Sequence, residues 1–176
     1  NKIDQAIKNY KKALSIKKDF AEAYNNLGNA YIDFDKPKDS FQYFNKAIEL
    51  KPNYAEAYNG LGAAYENLGN KSEALKNYKK ATEIKPDFAE GYNNLSAVYS
   101  DLSRFDESLL NCKKAIQLKK NYEKAYNNLG NILSTLGKFD EATIAYKQAI
   151  KIKPDYAKAY SNLLFNLIYK TDFDLN

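Results

Sequence analysis

The 176-residue sequence contains no histidine and one cysteine, and these absences exclude much catalytic and metal-binding chemistry. Without histidine the chain has no imidazole base, no triad built on one and no histidine metal ligand. A single cysteine cannot build the usual four-ligand zinc site or an internal disulfide. None of the glycines belongs to a phosphate-cradling loop pattern. The sequence therefore predicts no catalytic residue, no metal site and no cofactor, and we expect that the chain is not an enzyme.

Long apolar runs and methionine are missing as well. No stretch reaches the roughly 18 apolar residues of a membrane-spanning helix, and no signal peptide is visible. The lone Cys112 favours a reducing compartment, so we expect a cytoplasmic protein without membrane contact. The absence of methionine predicts that these residues are a piece of a longer protein.

The chain is built on a period of 34 residues, which is most regular in the stretch 55–88. Its apolar residues form two stripes at helical spacing: Tyr58, Leu61, Tyr65 and Leu68, then Ala74, Tyr78, Ala81 and Ile84. Gly69 interrupts the pattern between the stripes, because glycine enters the left-handed region easily and ends a helix there. Pro86 ends the second stripe, since it has no N–H to donate. Each period therefore predicts a helical hairpin.

A shift of 34 residues returns the same pattern over nearly the whole chain. The predicted units are complete hairpins at 21–54, 55–88, 89–122 and 123–156, with a second helix alone at 1–20 and a first helix plus a tail at 157–176. A fixed period of this length is typical of a helical solenoid, in which each hairpin packs only on its neighbours. We expect a single all-α array over residues 1–176.

The aligned residues resemble the tetratricopeptide repeat (TPR) family. The resemblance rests on three aligned series: Tyr24, Tyr58, Tyr92, Tyr126 and Tyr160; Leu27, Leu61, Leu95, Leu129 and Leu163; and the turn residues Pro52, Pro86 and Pro154. It implies a right-handed superhelical solenoid in which the first helices line a concave groove and the second helices form the outer face. It also implies a protein–protein interaction scaffold that binds an extended peptide or protein segment in that groove.

Charge is segregated between the two helices of the repeat. Acids dominate the first helices, whereas most lysines fall on second helices and turns, including Lys12, Lys46, Lys80 and Lys114. In a TPR arrangement the groove would be acidic to neutral, with Lys124 and Lys158 making its far end more basic. Nucleic-acid binding by the lysine-rich face is the weaker alternative, because interleaved aromatics and arginine clusters are missing. We expect no nucleic-acid partner.

Asparagines recur on the same face of the first helices. Row 1 consists of Asn25, Asn59, Asn93 and Asn127, and row 2 of Asn26, Asn94, Asn128 and Asn162, with Gly60 as a gap. A primary amide has two donors and an acceptor, so a ladder of amides suits the backbone of an extended peptide. A chain simply rich in asparagine is the alternative. The predicted peptide-binding set is Asn25, Asn26, Asn29, Asn59, Asn93, Asn94, Asn127, Asn128, Asn131, Asn162, Glu22, Glu56 and Glu90.

A finer resemblance comes from the pattern Tyr-x-Asn-Leu-Gly and from the ending AYSNLLFNLIYKTDFD. These are similar to the TPR region of O-linked N-acetylglucosamine transferase and its bacterial relatives. The resemblance implies that row 2 is the ladder and that the array recruits substrates for a catalytic region outside this chain. A self-associating structural spacer is the other alternative.

Two further expectations concern packing. Each complete unit pairs two small residues across the hairpin, which predicts a close approach of the helices: Gly28 with Ser40, Gly62 with Ala74, Ser96 with Ser108, and Gly130 with Ala142. Cys112 replaces the tyrosine of other units and is expected to be a buried small hydrophobe. The terminal segments 1–20 and 157–176 each lack a partner helix, so we expect copies of the chain to associate end to end through them.

Overall fold

The computed structural model describes residues 2–174, with side chains described for residues 2–170. Residues 2–174 contain ten helices and no strand, which confirms the all-α class: α1 Lys2–Ile16, α2 Ala21–Asp33, α3 Pro37–Leu50, α4 Ala55–Asn67, α5 Lys71–Ile84, α6 Ala89–Asp101, α7 Phe105–Leu118, α8 Glu123–Thr135, α9 Phe139–Ile152 and α10 Ala157–Asp174. The predicted association segments include residues 1, 175 and 176, which lie outside the described residues.

The helices group into two compact units, residues 1–86 and 87–176. In the first unit α2 packs with α3 and α4 packs with α5 as hairpins, while α1 packs on α2 and α3 packs on α4. In the second unit α6 packs with α7 and α8 packs with α9, and α10 packs on α9. Neighbouring first helices also touch each other within a unit, as α2 does with α4, α6 with α8 and α8 with α10. The even-numbered helices are the first helices of the repeat.

All four hairpin turns share one backbone conformation. The residue after the C-cap has positive φ in each: Asp35 (57°), Gly69 (77°), Ser103 (58°) and Gly137 (73°). The following N–H then reaches back to the third residue from the helix end, as Asn70 N does to Tyr65 O at 2.9 Å. The predicted break at Gly69 is confirmed. Two of the four turns hold a residue other than glycine in this conformation, although glycine adopts it most readily.

The predicted close approach is seen in the hairpins, but in three of them an aromatic ring of the second helix, and not the predicted small partner, lies nearest the glycine. A Cβ added to Gly62 would lie 2.6 Å from Tyr78 Cδ1, and one added to Gly130 would lie 2.5 Å from Tyr146 Cε1. Such contacts are far inside the usual van der Waals distance. Gly28 lies against the ring of Phe44 in the same way. Glycine on the first helix therefore makes room for the ring.

The hairpin of α6 and α7 fills the same space with different residues. Ser96 replaces the glycine, and Ser108 Oγ donates to its carbonyl oxygen at 2.7 Å. Cys112 replaces the ring and is completely buried, with its thiol 3.1 Å from Ala125 O. Burial raises the pKa of this thiol to about 12. Cys112 is thus the buried, unreactive side chain that the sequence predicts, and its small size accommodates the extra atoms of Ser96.

Candidate ligand-binding face of the first helices

Row 1 lies between neighbouring first helices. Asn25, Asn93 and Asn127 are at most 5% exposed, and Asn59 is partly buried. Their position follows from the contacts of α2 with α4, of α6 with α8 and of α8 with α10. The packed helices enclose these amides, so a ligand does not reach them. Of the predicted peptide-binding asparagines, those of row 2 and its neighbours remain accessible.

In the second unit, two members of row 2 are hydrogen-bonded to row 1 of the preceding repeat. In the second unit the Nδ2 of Asn128 donates to Asn93 Oδ1 at 3.0 Å. The Nδ2 of Asn162 donates to Asn127 Oδ1 at 2.9 Å and to Asn131 Oδ1 at 3.0 Å. Within the described side chains these bonds engage the amino groups of Asn128 and Asn162 and leave their carboxamide oxygens as available acceptors. Within the second unit, these members of the two predicted rows therefore belong to a bonded network.

A tyrosine that the predicted set omits completes this network. The hydroxyl of Tyr146 donates to Asn131 Oδ1 at 2.9 Å, so Asn131 accepts from both Tyr146 and Asn162. Burial raises the pKa of Tyr146 to about 12. The sequence indicates this bond through the choice between tyrosine and phenylalanine at this aligned position. Tyrosine stands there when a polar residue of the first helix can accept a hydrogen bond from its hydroxyl.

In the hairpin of α4 and α5 the tyrosine hydroxyl bonds to a carboxylate at a different aligned position, since Glu66 aligns with Ser134 and not with Asn131. Tyr78 donates to Glu66 Oε2 at 2.6 Å, and burial together with this carboxylate raises the pKa of Tyr78. One repeat earlier, Phe44 has no hydroxyl and packs on Ile32, which stands at the position of Glu66. The polar or apolar character of the two positions thus changes together.

The gap in row 2 has a steric cause. A Cβ on Gly60 would lie 2.2 Å from Phe44 Cε1, so the ring of Phe44 occupies the space that an asparagine side chain would need. In the first unit the exposed amides of the predicted set are those of Asn26 and Asn29 on α2. Together with Tyr10 they line a recess of about 280 Å³ between α1 and α2.

The predicted acidic residues lie at one end of the hairpins and are partly neutralised. Glu22 pairs with Lys51 at 3.6 Å, and Glu56 pairs with Lys85 at 2.8 Å. Partial burial raises the pKa of Glu56, but the hydrogen bond from Lys85 and nearby charges outweigh it and hold this pKa below its usual value. Glu90 is exposed. These pairs stabilise the ends of the repeats, and the acidity expected of the groove is correspondingly weaker.

The described residues offer little for other chemistries. Over residues 2–174, no helix combines the length and apolar character needed to cross a bilayer. Histidine, cysteine, aspartate and glutamate side chains within the described range do not gather in threes around a possible metal position. The first-helix face therefore offers mainly neutral hydrogen-bonding groups.

Comparison with known proteins gives a consistent result. Four family profiles, described as tetratricopeptide repeat or TPR repeat, match residues 1–33, 19–87, 88–121 and 123–156. The crystal structure of MamA is 29% identical with a TM-score of 0.70, covering 89% of this chain and 91% of that chain.

YrrB, a TPR protein with an unusual peptide-binding site, is 25% identical with a TM-score of 0.68, covering 92% of this chain and 84% of that chain. TTC0263, a thermophilic TPR protein in Thermus thermophilus, is 21% identical with a TM-score of 0.84, covering 94% of this chain and 91% of that chain. No curated protein matches the sequence significantly.

Proposed function

Because this chain is an array of tetratricopeptide repeats, we propose that it is a non-catalytic interaction scaffold whose first helices bind an extended segment of another protein. Repeat arrays of this kind use the surface lined by equivalent helices for binding. The similarity to YrrB, which is described as having a peptide-binding site, supports the proposal.

The bonded amides of row 2 carry the proposal. Asn128 and Asn162 occupy equivalent positions on α8 and α10, and each is held by a bond of about 3 Å to row 1 of the preceding repeat. An amide that is already oriented loses less side-chain entropy when a ligand binds. The network therefore presents two pre-oriented carbonyl-type acceptors at the spacing of one repeat.

This chemistry favours the backbone of the ligand over its side chains. An extended peptide has unpaired N–H groups, and amide oxygens accept from them irrespective of sequence. Each neutral hydrogen bond contributes about 0.5–1.5 kcal/mol. Two such bonds correspond to roughly a tenfold change in affinity. Specificity would then come from the side chains that flank the ladder.

The test begins with random 16-residue peptides displayed on phage and selected on the wild-type chain. Enriched peptides are synthesised, and their dissociation constants are measured by fluorescence anisotropy for wild type and for the double variant Asn128→Ala/Asn162→Ala. We expect the double variant to bind about tenfold more weakly. Asn111→Ala is the matched control, because Asn111 lies on the second helix α7 and bonds only to Glu107 O within the described residues.

A second measurement separates backbone recognition from loss of fold. Methylating single backbone nitrogens of a selected peptide removes one donor at a time and leaves the protein unchanged. At least two methylated positions should weaken binding to wild type and have a smaller effect on the double variant. Equal affinity of wild type and double variant, with unchanged circular dichroism, would refute the ladder.

The finer resemblance to the TPR region of O-linked N-acetylglucosamine transferase stays a prediction, as does a cytoplasmic location. That resemblance implies that the scaffold recruits substrates for a glycosyltransferase-like region of the parent protein. Deleting the repeats from that parent should then reduce modification of protein substrates and leave hydrolysis of the sugar donor intact. Loss of both activities would argue for a structural role instead.

A further inference from the structure

Helix α10 departs from the other first helices at two aligned positions. Leu164 stands where the complete repeats carry only small residues, namely Gly28, Gly62, Ser96 and Gly130. Tyr169 stands where they carry polar ones, namely Asp33, Asn67, Asp101 and Thr135. The repeat pattern therefore does not account for the large apolar residues of α10.

These residues form an exposed face. Six large apolar residues of α10 are each between 44% and 61% exposed: Tyr160, Leu164, Phe165, Leu167, Ile168 and Tyr169. The opposite side of the helix is anchored, since Leu163 packs with the cluster around Tyr146 and Asn166 Nδ2 donates to Phe139 O at 2.9 Å. If a fully exposed large side chain offers about 150–250 Å², the face presents on the order of 500–800 Å².

A second helix that carries the usual aromatic ring does not fit this face. In three of the four complete hairpins an aromatic ring of the second helix lies on the glycine that aligns with Leu164, and even a Cβ there would come within 2.5–2.7 Å of the ring. Tyr10 on α1 is the aligned ring in the terminal second helix. A leucine side chain facing Tyr10 would need more room than that distance leaves, so the geometry of the repeat disfavours head-to-tail packing of α10 on α1 of another copy.

The face is instead complementary to itself. Its residues mirror each other about the midpoint between Leu164 and Phe165, because Tyr160 and Tyr169 are equally far from it, as are Ser161 and Ile168. In an antiparallel pair of α10 helices centred on this point, Leu164 meets Phe165 of the second copy, and the larger Ile168 meets the small, exposed Ser161.

We propose that α10 is the interface of a symmetric dimer, with a second copy of this chain packed tail to tail through its own α10. The exposed area of the face, on the order of 500–800 Å² on each copy, reaches at its upper end the roughly 800 Å² that each partner buries in a stable interface. The two-fold arrangement pairs the same surface on both copies and closes the assembly at two chains. It is an alternative to the head-to-tail form of the expected end-to-end association, which stays a prediction.

The first experiment measures the oligomeric state of the 176-residue chain by sedimentation velocity over a range of concentrations. Wild type should show a reversible monomer–dimer equilibrium. Ile168→Asp places a charge at the centre of the face and should raise the dissociation constant at least about tenfold. Ile144→Asp is the matched control. Ile144 is 69% exposed on α9, and this substitution makes the same chemical change outside the face.

The second experiment tests the register. Ser161→Cys/Ile168→Cys should form a covalent dimer on mild oxidation, because position 161 of one copy faces position 168 of the other. Within one helix these positions are about 10 Å apart, too far for an internal disulfide. Cys112 is fully buried and should not compete. Each single cysteine variant is the control and should cross-link much more slowly.

Two results together support the proposal. Ile168→Asp dissociates the dimer whereas Ile144→Asp preserves it, and only the double-cysteine variant cross-links. A chain that stays monomeric at all concentrations overturns it and assigns the face to a different partner. Association that both aspartate variants abolish, or that neither abolishes, also overturns it. A wild-type dimer without the double-cysteine cross-link rules out the antiparallel register.

Discussion

Replacing Gly130 by alanine is expected to destabilise the hairpin of α8 and α9 by about 1–3 kcal/mol. The new Cβ would lie 2.5 Å from Tyr146 Cε1, whereas non-bonded carbon atoms rest about 3.5–4.0 Å apart. The ring would have to move by about 1 Å. Tyr146 is 2% exposed and its hydroxyl is bonded to Asn131, so little room for this movement exists.

Three contributions set the size of this effect. Overpacking of a filled core costs about 1–3 kcal/mol. Lengthening or breaking the bond from Tyr146 to Asn131 costs about 0.5–1.5 kcal/mol more. Alanine favours a helix interior over glycine by about 0.5–1 kcal/mol, which offsets part of the loss. The steric cost exceeds the gain in helix propensity, so the net change is destabilising.

The hairpin of α6 and α7 suggests a compensating substitution. It combines Ser96 with Cys112 where this hairpin combines Gly130 with Tyr146. Gly130→Ser and Tyr146→Cys should each destabilise the chain, the first by overpacking and the second by leaving a cavity. The double variant should be more stable than the sum of the two costs predicts, by at least about 1 kcal/mol.

The assay is urea denaturation followed by circular dichroism, with free energies compared at the transition midpoint. A Gly130→Ala variant as stable as wild type would refute the steric argument. Strict additivity of Gly130→Ser and Tyr146→Cys would refute the coupling between the two positions.

Two further predictions concern the turns and the buried tyrosines. Ser103→Gly should raise the thermal midpoint and add up to about 1 kcal/mol to the free energy of unfolding, because Ser103 has φ of 58°. Gly137→Ser should lower the midpoint. A thermal scan in which neither variant moves the midpoint would contradict the reasoning. The free energy of unfolding should fall as pH rises from about 10 to 12, because burial raises the pKa of Tyr146 from 10.0 to about 12 and the unfolded chain therefore loses the proton first. Denaturation at several alkaline pH values should show a shallower fall for Tyr146→Phe, and an identical slope would exclude this contribution.

Much of the fold is predictable because its determinants are local and repeat. The stripe around Tyr58 and Tyr78 sets two helices, and Gly69 ends the first of them through a conformation that one residue adopts by itself. The close approach at Gly62 also follows, since its aligned positions are small in every complete repeat. Such signals need no knowledge of distant contacts.

The candidate site is less predictable because it depends on which helices touch. Asn127 and Asn128 are neighbours in the sequence and both lie on a polar face, yet Asn127 is fully buried and Asn128 is half-buried with an available oxygen. The difference arises from two separate helix contacts: α10 packs on α8 and bonds to Asn127 through Asn162, whereas Asn128 bonds to Asn93 on α6. Periodicity alone assigns both to the same surface.

For this chain, the amino-acid pattern by itself determined the hairpins, their length and the positions where they turn. Helix periodicity, the residues that end helices and side-chain size all act within a few residues of each other. Only the tertiary structure decided which asparagines stay available to a ligand, why Gly60 interrupts their row and how much of α10 remains uncovered. Those outcomes depend on the distances between packed side chains of different helices, such as Phe44 against Gly60, and these distances exist only once the helices are assembled.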